Sequence, residues 1–80
     1  MDDAEIVRRI TELADEEHGL ERAHVGAGLS DEEQARLQAV EVALDQCWDL
    51  LRQRRARRSA GEDPDEAEVR SAPVVEGYQQ

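Results

Sequence analysis

Two acid-x-x-His pairs, Asp15/His18 and Glu21/His24, one thiol at Cys47, and five arginines between Arg52 and Arg58 are the residues of this 80-residue chain that could do chemistry. Glu-x-x-His on bundle helices is how di-iron carboxylate proteins present metal ligands, with further glutamates from facing helices. Here Glu17 and His24 fall on or near an apolar helical seam, while His18 falls at its edge. The pairs are six residues apart and point in different directions, so no metal or cofactor is expected. Asp15, His18, Glu21 and His24 are the ligand candidates, with Glu17 beside them.

Cys47 falls in the same seam, opposite Ile10. His18 is eight residues further along that helix, about 12 Å away at 1.5 Å per residue. A cysteine nucleophile needs a base within hydrogen-bond reach, and none is in range. A buried cysteine otherwise behaves as a small hydrophobe. The chain is expected not to be an enzyme.

Arg52, Arg54, Arg55, Arg57 and Arg58 could form a phosphate-binding patch. Three features weigh against it. The net charge is −10, no aromatic residues are interleaved with the arginines, and Asp2, Asp3, Glu62, Asp63 and Asp65 are at hand to neutralise them. Cations in the last turns of a helix also complement its dipole. Structural pairing is the preferred reading, and nucleic acid is disfavoured as a partner.

The elements that must carry these groups are helices. Ile6, Ile10, Leu13, Glu17, Leu20 and His24 recur at steps of four and three, which predicts a helix over about 3–24. Asp2, Asp3 and Glu5 suit its start. Gly26 and Gly28 break the period and read as a hairpin turn. Ser30-Asp31-Glu32-Glu33 is a capping box. It opens a second helix over about 31–59, with Leu37, Val40, Leu44, Cys47 and Leu51 on its seam and Gly61 as a left-handed cap. A tight turn makes the helices antiparallel. Leu20 then faces Leu37, Glu17 Val40, Leu13 Leu44, Ile10 Cys47, and Ile6 Leu51.

The expected fold is all-α: a helical hairpin over 1–60 and an acidic, loosely ordered C-terminal tail over 61–80. Asp63 and Pro64 suit a short helix near 64–70. Pro73 should end it, and "APVVEGY" reads as extended, with Val74, Val75 and Tyr78 able to pack on the bundle or on a partner. Ala43 and Leu50 widen one flank of the second helix's seam and Trp48 the other, while Val7 and Ala14 widen that of the first. One partner helix cannot cover so broad a face, and a lone hairpin scarcely offsets its ordering entropy. A homodimer forming an antiparallel four-helix bundle is therefore expected. A monomer completed by the tail is the rival.

Composition fits this picture. Ile, Leu, Val and Phe make up about a fifth of the chain, near the border of disorder at high net charge, but most sit between Ile6 and Leu51. One cysteine excludes an internal disulfide and suits a reducing cytoplasm. Lysine is absent, which removes lysine-based Schiff-base chemistry. No membrane-length apolar run or exported leader is present, so a cytoplasmic protein without membrane contact is expected.

The stretches "DEEHGL", "LDQCWDLLRQRRARR", "AGEDPDEAEVR" and "VVEGY" resemble a family of short actinobacterial proteins classified as domain of unknown function 2630. The likeness covers nearly the whole chain, and the run from Asp45 to Arg52 is its most distinctive part. It implies a cytoplasmic actinobacterial protein and brings no activity, cofactor or functional residue. The leading expectation is a non-enzymatic, homodimeric protein–protein interaction module. Its partner surface is expected at Trp48, at Arg52, Arg54, Arg55, Arg57 and Arg58, or at Tyr78. The alternatives are a nucleic-acid or transcription-complex accessory protein using the arginines, and a carboxylate/histidine metal-binding bundle.

Overall fold

The computed structural model describes residues 1–23 and 28–77. Two long helices, α1 (Asp3–Ala23) and α2 (Asp31–Ser59), pack against each other as a hairpin, and a short helix, α3 (Ala72–Gly77), follows. The boundaries of α1 and α2 follow the period of the apolar residues closely. The turn expected at Gly26 lies outside the described residues.

Each long helix starts on a reciprocal cap. The Glu5 amide donates to the Asp2 carboxylate at 2.8 Å, and the Asp2 amide donates back to Glu5 at 3.3 Å. At α2 the Glu33 amide donates to Ser30 Oγ at 3.1 Å, and the Ser30 amide to Glu33 Oε1 at 3.0 Å. Both boxes satisfy amides that have no partner within the helix. The far end of α2 closes on Gly61, whose φ is +76°. There the Glu62 amide reaches Arg57 O at 2.7 Å and the Gly61 amide reaches Arg58 O at 3.2 Å. This is the Schellman arrangement, which needs a left-handed residue and so favours glycine.

Ile6, Ile10, Leu50 and Leu51 form the core cluster, with Leu44, Cys47 and Ala67 packed on it. Leu13 and Val40 are buried as well. Ile6 with Leu51, and Ile10 with Cys47, thus stand together as the antiparallel register requires. The long axis of the molecule measures 51 Å, mostly the length of α2, since 29 helical residues rise about 43 Å.

After Gly61 the chain turns back along α2, and here the structure corrects the sequence reading. The helix expected near 64–70 is a single 3-10 turn, Pro64–Glu66, capped by Asp63, which accepts from the Asp65 amide at 2.9 Å. Residues 72–77, expected to be extended, form α3. Ser71 O accepts from the amides of Val74 and Val75, both at 3.1 Å. Pro73 takes the second position of this helix, where its missing N–H deprives no carbonyl.

The segment whose Val74 and Val75 the sequence left able to pack on the bundle or on a partner lies against α2. Ala67 joins the core and Val75 is 1% exposed. Gln53 Nε2 donates to Glu68 O at 2.7 Å, and Gln46 Nε2 to Arg70 O at 3.2 Å. The chain therefore covers by itself the flank of α2 that carries Leu50, which is buried. The other flank stays open: Trp48 is 45% exposed and Val7 of α1 48%.

Candidate interaction surface

The five arginines divide into two groups. Arg54 is buried, because the start of α1 and the 3-10 turn close over it. Its Nε donates to Asp3 Oδ1 at 2.5 Å, and its Nη1 to Asp65 Oδ1 at 2.9 Å and Pro64 O at 3.2 Å. Arg58 also reaches Asp3, at 2.9 Å, and Arg57 pairs with Glu62 and Glu66 at 3.5 and 3.6 Å. Hydrogen bonds from Arg54 and Arg58 hold the Asp3 carboxyl below its ordinary range, and Asp3 in turn holds Arg54 more firmly charged. Asp2 and Asp63, expected as ion partners, serve as caps instead.

Arg52 and Arg55 are exposed and have no hydrogen-bond or ion-pair partner among the described residues. They follow Trp48 on α2 by four and seven residues, so helical spacing sets all three along one side. Val7 and Ala14 of α1 line the neighbouring flank. Trp48, Arg52 and Arg55 are thus brought together on an open surface, whereas Arg54, Arg57 and Arg58 are drawn into the fold. Tyr78 lies outside the described residues.

Sequence reasoning missed a third polar constellation. Asp49 is 1% exposed and accepts two hydrogen bonds from Arg70, Nε at 2.9 Å and Nη2 at 2.7 Å, and one from Gln53 at 2.9 Å. The Arg70 guanidinium lowers the Asp49 pKa and outweighs the opposing effect of burial. Such a fork-to-fork pair fixes geometry as well as charge. Two signals for it are present in the sequence. Gln46, Asp49 and Gln53 make a polar line at steps of three and four, and Arg70 is the only cation beyond Gly61.

The other candidates do not converge. His18, Asp15 and Glu21 are exposed along α1, Glu17 is half-buried, and His24 lies outside the described residues. Among the described residues no three His, Cys, Asp or Glu side chains are grouped to hold a metal ion. Cys47 is half-buried beside Ile6, Arg9, Leu50 and Val69, lining a groove of about 200 Å³. Burial pushes its thiol pKa up, which disfavours the nucleophilic thiolate. None of the described helices is long and apolar enough to cross a membrane.

Residues 2–80 match a family described as "Protein of unknown function (DUF2630)". Proteins of Mycobacterium bovis and of two Mycobacterium tuberculosis strains, each called an uncharacterized protein, are 52% identical to this chain over 77 residues. The matched region covers 95% of this chain and 88% of each relative. No solved structure matches.

Proposed function

This chain belongs to the DUF2630 family of proteins of unknown function, and we propose that it is a non-enzymatic cytoplasmic interaction module that works as a homodimer. Two hairpins laid side by side would form a four-helix bundle and present their outer surfaces to a protein partner. One observation carries this reading: Trp48 is 45% exposed on a flank of α2 away from the one on which the returning segment packs. Large aromatic residues on such surfaces are the usual anchors of interfaces.

The fate of the arginines weighs against the nucleic-acid alternative. Arg54, Arg57 and Arg58 are paired with carboxylates of the same chain, and overall charge opposes a polyanion. The separated positions of Asp15, His18 and Glu21 weigh against a metal-binding bundle. A cytoplasmic setting is supported by the free thiol at Cys47.

Light scattering of the intact chain during gel filtration, over a range of loading concentrations, tests the reading. A mass near twice 9.0 kDa is expected at the higher concentrations. A mass of one chain at every concentration overturns the homodimer.

A further inference from the structure

We propose that Glu41, Asp45, Trp48, Arg52 and Arg55 form a self-complementary stripe on α2, on which a second copy of this chain docks antiparallel about a two-fold axis at Trp48. The proposal rests on the homodimer reading and names the face and residues that make it.

The five positions recur at steps of four, three, four and three. That spacing averages 3.5 residues, so they keep to one narrow line along the helix, as the contact positions of a coiled coil do. Glu41, Trp48, Arg52 and Arg55 are exposed and Asp45 is partly buried. Among the described residues none of the four charged members makes a hydrogen bond or ion pair. Arg52 acts on Asp49 only at a distance, helping slightly to lower its pKa. The buried pairs of Arg54 and Asp49 make this contrast plain. Charges on the covered side of α2 are matched within the chain, and charges on the open side are not.

The order of signs along the stripe matters most. Two carboxylates precede Trp48 and two guanidinium groups follow it. Glu41 and Arg55 each stand seven residues from Trp48, about 10 Å along the axis on either side. A two-fold contact requires that if residue i meets j, then j meets i. Reversing one α2 upon another with the axis at Trp48 sets Glu41 opposite Arg55 and brings Asp45 within one residue, about 1.5 Å along the axis, of the level of Arg52. Each pair occurs twice, and the two indole rings meet at the centre. A parallel alignment sets like charges together and is repelled. Exposed ion pairs contribute little energy each, so the charges set the register while burial of Trp48 and the neighbouring Val7 supplies the attraction. On the flank bearing Leu50, residues 67–75 lie against α2 and leave a groove lined by Met1, Cys47 and Val69, which lacks the paired order of charges found along the stripe.

The test is a charge-reversal exchange in the full chain, read by sedimentation equilibrium. Arg52→Glu with Arg55→Glu, and separately Glu41→Arg with Asp45→Arg, should each weaken self-association by about tenfold or more. Mixing the two variants should restore association as a heterodimer. Two unaltered dimers overturn the stripe while leaving the homodimer reading intact, whereas a wild-type chain that never associates overturns both. A second readout does not depend on the charge variants folding. Trp48 is the sole tryptophan, so in the unaltered chain its emission should move to shorter wavelength, and become harder to quench with iodide, as rising concentration drives association. Emission and quenching that stay constant across a range over which the mass doubles sink the proposed axis.

Discussion

Asp49 of α2 and Arg70 of the returning segment are joined by two hydrogen bonds, of 2.9 and 2.7 Å, with the carboxylate almost wholly withdrawn from solvent. The pair spans 21 residues of sequence and fixes the segment at one level of the helix, while Gln46 and Gln53 hold its carbonyls on either side. Removing one member leaves the other poorly solvated and unmatched.

Asp49→Ala should therefore destabilise the fold by about 2 kcal/mol. The loss should be local as well as global, with faster amide exchange at residues 67–75 than elsewhere. Urea denaturation and hydrogen exchange followed by mass spectrometry measure the two effects. An unchanged midpoint would show that the pair contributes nothing.

The same pair gives the fold an acid limit. Arg70 holds the Asp49 pKa below its unfolded value, and Arg54 does the same for Asp3. As pH falls below about 4, the unfolded chain takes up protons that the folded chain resists. Stability contributed by these carboxylates is thus fully present at neutral pH and is lost as pH falls through their folded values. Asp49→Asn should be less stable than wild type near pH 7 and should lose less on acidification. Melting temperatures measured from pH 7 to pH 2.5 follow the difference, and parallel curves would rule it out.

Neighbouring arginines should behave differently. Arg54 is buried between Asp3 and Asp65, and Arg55 is exposed and unpaired among the described residues. Arg54→Ala should lower the melting temperature clearly. Arg55→Ala should leave it within experimental error when the protein is dilute. Equal effects would mean that the arginines act only through the helix dipole.

Gly61 holds a φ of +76°, and a Cβ built there meets nothing within 4 Å. Gly61→Ala should cost about 1 kcal/mol through backbone strain alone, not through a clash. Gly19, helical and equally uncrowded, is the internal control. Gly19→Ala should stabilise by about the same amount. Chemical denaturation of the two variants gives the signs directly.

The long helices were legible because their determinants are local. Apolar residues at three- and four-residue steps, Ser30 with Glu33, and Gly61 after the last arginine of α2 all act within one or two turns. The register follows from matching two seams, and Asp3 beside Arg54 is its outermost pair. The path of the returning segment was less legible. Residues 72–77 are too few to show a period, and Pro73 reads as a break unless the helix is known to begin there. Asp49 and Arg70 recognise each other across a fold that a linear pattern does not contain. Leu50 was read as surface for another chain because an apolar flank carries no mark of who covers it. Trp48 has no such cover within the described residues, and the sequence had already placed it on the other side.

The returning segment also sets a limit on growth. A flat pair of helices that is adhesive along both edges can keep adding neighbours, and nothing in its geometry tells it to stop. Residues 67–75 lie along one edge, held by Asp49 and the two glutamines. A second copy docked on the remaining edge, as proposed, would then be the last addition. On this view the acidic tail works as a terminator, and loosening it would turn a closed particle into one able to polymerise.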